Sequence, residues 1–228
     1  MFERDAGWRD AIPWAEFDPT IAEAEPASGE YPTAFEAESV TVERTELVVA
    51  PDNAADRITD VIDRAEESLW VVQPTVSDRS MPFVRSLLAA AERGVEVRLL
   101  LSSAWYVEED NRRLARWLGE QAEREDLPLT VRLAEPDGAF DRIHAKGIIA
   151  DDSVVLGSVN WSNNSIRDNR EVAVILHGSE PAAYFREVYA ADWTGESRSL
   201  PIGLVGAVAL AAGFAVAFGR TIRFAPGR

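Results

Sequence analysis

Cysteine is absent from the 228-residue chain, which excludes disulfides, thiol nucleophiles and cysteine-ligated metals but leaves the compartment open. Histidine occurs twice, at His144 and His177, and lysine once, at Lys146; every other basic side chain is arginine. The opening stretch "MFERDAGWRDAIPW" does not read as a signal peptide, because it has no continuous apolar core and carries acids among its first residues. Arginine does not simply replace lysine: guanidinium is a broad planar fork, ammonium a compact point charge that fits a narrow pocket beside a small anion. A chain that otherwise avoids lysine and keeps one two residues from a histidine marks a candidate site.

Positive charge is in deficit too. Acidic residues number 39 against 23 basic ones, a formal charge of −16. A field of that sign disfavours polyanionic partners unless positive charge gathers locally. The excess is dispersed along the whole chain, which fits a protein solvated in concentrated salt, where screening lengths fall to about 3 Å. Net charge is then a poor guide to substrate.

The ends of the chain lack the periodicity of the middle. Residues 1–37 carry Pro13, Pro19, Pro26 and Pro32 among many acids and read as a linker or extended arm. Residues 200–219, "LPIGLVGAVALAAGFAVAFG", are uncharged, show no polar stripe and are long enough to cross a bilayer, which predicts a transmembrane helix. The short basic tail, 220–228, contains Arg220, Arg223 and Arg228, so the positive-inside bias puts it in the cytosol and the preceding domain on the outer face of the membrane. An outward-facing domain without an export signal is a conflict, and it is relieved if this chain is the C-terminal part of a longer protein.

Between the ends, strand and helix alternate. "SVTVERTELVVA" (39–50) reads as extended; Ile58, Val61, Ile62 and Ala65 then form one helical stripe. "SLWVVQP" (68–74) is a short buried strand, and Ser80 and Pro82 open a helix that buries Phe83, Val84, Leu87, Leu88 and Ala91 before Gly94 ends it. A strand at 95–101, a helix near 108–125 with Leu114, Trp117 and Leu118 inward, and a strand near 129–133 follow. The expected fold class is α/β, a mixed sheet flanked by helices, in a domain spanning 38–196.

The next stretch is "RIHAKGIIADDSVVLGSVNWS", residues 142–162, which reads as a hairpin. On an extended "IHAKGIIA", His144 and Lys146 project from one face. Asp151, Asp152 and Ser153 make the turn, and Ser158 and Asn160 share a face after Gly157. Imidazole, ammonium, hydroxyl and carboxamide together suit a tetrahedral oxyanion such as phosphate.

"HAKGIIAD" followed by "GSVN" resembles the HKD motif of the phospholipase D superfamily: His, any residue, Lys, four residues, Asp, then Gly-Ser-x-Asn. "WSNNSIRDNREVAVIL" extends the likeness through Glu171, and the resemblance covers residues 39–195. It implies that His144 either attacks phosphorus to give a phosphohistidine or protonates the leaving oxygen. Lys146, Ser158 and Asn160 would bind the non-bridging oxygens, the electrostatic help that phosphoryl transfer chiefly needs. Asp151 takes the place of the motif's aspartate and is expected to hold the local structure, while Glu171 matches the carboxylate that orients a histidine and fixes its tautomer. No metal or other cofactor is required by that chemistry. The substrate would be a phosphodiester, a phospholipid head group cleaved or transferred, or alternatively a nucleic acid; a silent, membrane-anchored phosphate-binding module is the third reading. His177 has none of the motif's companions and reads as a strand-end residue; the seven tryptophans read as core and interface residues, with Trp161, directly after Asn160, the one placed to border the pocket.

The family's site uses two such motifs, and without a second lysine there is no second His-x-Lys here. One motif is half a site. It is completed either by a homodimer or by a missing N-terminal half of a two-motif parent. A short likeness between "FERDAGW" at the start and "VYAADW" at 188–193 leans to the parent, as if the chain began where an earlier copy ended.

Overall fold

A computed structural model describes residues 35–135 and 140–195, together with Glu16. The predicted arm, the apolar segment 200–219 and the basic tail lie outside the described residues, apart from the last few positions of the arm. No helix among the described residues is long and apolar enough to cross a membrane.

The elements are β1 (Arg44–Ala50), α1 (Ala54–Asp63), β2 (Ser68–Gln73), α2 (Pro82–Glu92), β3 (Glu96–Leu101) and α3 (Glu108–Glu125), then β4 (Leu129–Leu133), β5 (Gly147–Ala150), β6 (Ser153–Gly157), a π turn (Asn164–Asp168), β7 (Glu171–His177) and α4 (Ser179–Thr194). Local chemistry sets several of these limits. Pro82, with its fixed φ, opens α2, and Gly94, at φ 92°, turns the chain out of it. β1 is shorter than the run 39–50 suggests. Thr41 donates its N–H to Glu180 Oε2 at 2.7 Å and the Glu36 carbonyl accepts from Tyr184, so this segment bonds to α4 instead of joining the sheet.

Seven strands form one sheet in the order β1-β7-β6-β5-β2-β3-β4. β2, β3 and β4 are parallel, with α2 and α3 as the crossovers, and the β5–β6 hairpin and β7 join them antiparallel. Both faces are covered. On one, Val48, Ile58, Ile62, Leu69, Phe83, Leu87, Leu99, Leu118 and Trp161 make the larger core; on the other, Val72, Leu100, Ile149, Val154 and Tyr189 pack with Phe185 and Trp193. A sheet buried on both sides needs apolar residues at successive positions, and β5, "GIIA", is buried throughout. Trp117 is only partly buried, because it packs at the margin of the larger core beneath Arg79.

The topology gathers the C-terminal ends of β1, β2, β3, β4 and β6 and the N-terminal ends of β5 and β7 on one rim. In sheets with parallel strands, that rim is where loops carry binding groups.

Candidate active site

His144 and Lys146 precede β5 rather than lying within it, since the strand begins at Gly147. They still face each other. Lys146 Nζ is 3.1 Å from each ring nitrogen of His144 and donates to the His144 carbonyl at 2.7 Å. The two in-plane lone-pair directions of an imidazole point apart, so an ammonium equidistant from both nitrogens commits to neither. His144 is exposed and Lys146 half-buried. Burial pushes the Lys146 ammonium below the usual lysine value, with the Glu171 carboxylate opposing that shift.

Gly147 has a steric reason to follow the lysine. A Cβ there would overlap the Tyr189 hydroxyl, which α4 brings against the strand. Gly157 is equally constrained, because its Cβ would run into the Val172 carbonyl and Ala173 on β7. These two close approaches seat the start of β5 against α4 and the end of β6 against β7.

Beside them the polar network centres on Glu171. Its carboxylate accepts hydrogen bonds from the Ser158 hydroxyl, the Ser165 hydroxyl at 3.0 Å and the Asn169 amide at 3.3 Å. Ser158 also accepts from the Val172 N–H at 3.2 Å, so its oxygen is already held by β7. The Asn160 N–H donates to Ser165 Oγ at 2.9 Å, and the Asn160 carboxamide has no partner among the described residues. No imidazole among the described residues touches Glu171.

Asp151, the motif's aspartate, lies at the opposite end of β5 from His144, where its carboxylate accepts the backbone N–H groups of Glu66, Glu67 and Ser68 at 2.8, 3.1 and 2.8 Å. Those bonds fasten the hairpin to the start of β2, which leaves Asp151 a structural part. Trp161 belongs to the core, 1% exposed and packed on Phe83 with ring centroids 5.4 Å apart. The recess under Lys146, lined by Gln73, Gly157 and Trp161, is only about 10 Å³, room for one water at most.

The motif alone does not point to Ser165 or Gln73. Ser165 is buried in the π turn and ties Asn160 to Glu171, while Gln73, buried at the end of β2, accepts from the Trp161 N–H at 3.4 Å. The run of Ser and Asn after Trp161 was the one available signal for the first; Gln73 sits in an otherwise apolar strand with no local pattern to mark it. Among the described residues no three His, Asp or Glu side chains converge as a metal-binding cluster.

A His-x-Lys before one inner strand and a Gly-Ser-x-Asn after the next thus meet on the rim of a two-sided mixed sheet. The family model described as "Cardiolipin synthase, PLD-like domain" matches residues 58–193, more than half of the chain, and the chain belongs to this phospholipase D-like family. Solved structures share the fold. NucT from Helicobacter pylori is 22% identical, with a TM-score of 0.55, over 66% of this chain and 96% of that one. Nuc from Salmonella typhimurium, a phospholipase D family member, is 22% identical, TM-score 0.54, over 66% and 95%. Phosphatidylserine synthase from Haemophilus influenzae is 19% identical, TM-score 0.50, over 63% of this chain and 37% of that one. No curated protein matches the sequence.

Proposed function

We propose that this chain supplies one half of a phosphodiesterase site in which an imidazole forms a phosphohistidine. In this reading a His144 nitrogen attacks phosphorus as the P–O bond to the leaving alcohol breaks. A second motif's histidine gives that oxygen its proton, then removes a proton from the water or alcohol that releases the enzyme. Lys146 and the free carboxamide of Asn160 face the non-bridging oxygens. Ser158, already bonded to Glu171, can still donate when the carboxylate turns to a histidine. Glu171 touches no imidazole of its own chain, so the ring it orients belongs to the second motif. The observation that carries the proposal is the ammonium 3.1 Å from the His144 ring on a rim shared with Asn160 and Glu171.

The second motif comes from another copy of the chain or from the N-terminal half of a parent. Segment 200–219 would anchor the domain, facing outward, and bring it to phospholipid head groups; nuclease activity is the alternative on the same chemistry. Purified protein should be assayed in high salt against a chromogenic phosphodiester, phospholipid vesicles and single-stranded DNA, with and without chelator, alongside its mass in solution. Hydrolysis that persists in chelator and follows the dimer is the expected result. Strict dependence on a divalent cation would defeat the histidine mechanism. An active monomer would defeat the two-motif site.

A further inference from the structure

Five polar side chains are buried among the described residues: Gln73, Ser86, Ser102, Asn111 and Ser165. All but Ser86 gather beneath the rim that bears the site. Asn111, in α3, donates to the Ser102 carbonyl at 2.7 Å and to the Pro74 carbonyl at 2.8 Å, which fixes the ends of β3 and β2. Pro74 follows Gln73, so the backbone beside that glutamine is held. Gln73 itself is 2% exposed and makes one hydrogen bond: its Oε1 accepts from the Trp161 N–H at 3.4 Å, and its own N–H groups have no acceptor among the described residues. A buried carboxamide so sparsely bonded costs stability that a leucine of similar size would not. Packing gives no reason for an amide at the end of "SLWVVQ".

What Gln73 holds is the turn that carries Asn160. Both peptide N–H groups flanking the Asn160 α-carbon are taken by buried side chains, its own by Ser165 Oγ at 2.9 Å and that of Trp161 by Gln73. The carbonyls are engaged as well, Asn160's by the Ser162 N–H at 2.8 Å and Trp161's by the Ser77 N–H at 3.0 Å. Backbone so fully bonded leaves the Asn160 carboxamide as the part open to a ligand. On its other side Gln73 adjoins β5. Val72 pairs with Gly147, which sets Gln73 level with Lys146, and the two side chains line the same recess of about 10 Å³. Gln73 thus stands as a strut between the lysine and the asparagine.

Resting on the half-site reading, we infer that Gln73 is a positioning residue: by holding the Trp161 peptide from the Lys146 side, it sets the Asn160 carboxamide at the separation from the ammonium that one phosphoryl group bridges. The recess it lines admits one water at most and excludes a phosphate, so Gln73 acts through Asn160 and not on the substrate. Ser165 anchors the same turn from the Glu171 side, with both bonds inside the segment 160–171, whereas Gln73 ties that turn to the strand beside Lys146.

The test is a double-mutant cycle on the full chain in high salt, with Gln73→Leu, Asn160→Ala and the pair, reading inorganic phosphate binding by calorimetry and turnover of the chromogenic diester separately. Gln73→Leu should weaken phosphate binding about tenfold while the melting temperature holds or rises, since displacing a binding group by about 1 Å is costly. Added to Asn160→Ala, it should cost no more than about twofold further, because a residue that acts through Asn160 has nothing left to position. A merely structural role would give losses that multiply. Should the leucine variant not fold, Gln73→Met repeats the cycle. Amide exchange supplies a reading free of any ligand: the Trp161 N–H should lose protection in Gln73→Leu and keep it in Gln73→Glu, whose carboxylate accepts the same bond. Phosphate affinity unchanged in either single variant, losses that multiply in the pair, or a wild-type chain that binds no phosphate overturns the inference. Coupled losses of phosphate binding without any turnover remove the phosphodiesterase reading alone, and turnover with uncoupled losses removes this one alone.

Discussion

His144 and His177 stand at opposite ends of one sheet, in contrasting surroundings. His177 ends β7 with both ring nitrogens engaged, Nδ1 with Ser153 Oγ at 2.9 Å and Nε2 with Glu46 Oε1 at 2.8 Å. Glu46 in turn pairs with Arg57 and Arg44, and Arg57 with Asp60 at 2.7 Å. Beside this network, Asp151 closes the hairpin onto β2. Each polar group there has a protein partner, which gives a clasp across β1, β7, β6 and α1. At the other end His144 is exposed, its ammonium neighbour is shared between two nitrogens, and Asn160 keeps a free carboxamide. Polar groups satisfied within the fold hold it together; those left open on a rim are available to a substrate.

The largest effect expected from this contrast is on catalysis. His144→Ala should lower phosphodiester turnover by a factor of about 10³ or more with an unchanged melting temperature, since nucleophile and acid–base terms vanish together. His177→Ala should do the reverse, losing stability while the folded protein keeps its turnover. If His177→Ala abolishes turnover at temperatures where it is folded, the division between the two ends fails.

Lys146→Arg should cost about 10²-fold in turnover despite keeping the charge, because the wider fork displaces the phosphate. It also tests protonation. Burial lowers the Lys146 ammonium below 10.5, so wild-type activity, which needs the charged form, should fall on an alkaline limb below that value. The residual activity of the arginine variant should show no such limb, as guanidinium stays charged. An identical alkaline limb in both proteins would assign it to another group.

A third effect belongs to the clasp. Asp151→Ala removes the acceptor of the Glu66, Glu67 and Ser68 N–H groups and places alanine at φ 46°, and should destabilise the fold by about 3 kcal/mol in urea melts. Turnover of the fraction still folded should be retained. Selective loss of turnover with full stability would return Asp151 to the active site.

The smallest effect is the acid response of Glu46. Burial pushes its pKa up, but hydrogen bonds from Arg57 and His177 and the charges of Arg57 and Arg44 outweigh that and hold it down to about 2. A carboxylate depressed in the fold contributes stability above its unfolded value, near 4.5, and loses it as pH falls toward 2. Wild type should therefore lead Glu46→Gln in melting temperature at neutral pH and lose that lead between about pH 4.5 and 2. A constant gap across that range would show that the carboxylate's charge is not what matters.

By itself the sequence determined the alternation of strands and helices, because apolar residues at periods of 3.6 and 2 report burial directly. It also determined the motif, since His144, Lys146, Ser158, Asn160 and Glu171 lie close enough along the chain for their spacing to be read. β1 came out shorter than its apolar pattern, as the bonds of Thr41 and Glu36 to α4 join segments far apart in sequence. Tertiary structure alone decided what Asp151 holds, because the N–H groups of Glu66, Glu67 and Ser68 that it accepts are remote from it in sequence. It decided that Ser165 supports Glu171 through a π turn. Sheet order is set by which apolar faces pack best, a property of the whole chain, and no local pattern of residues carries it.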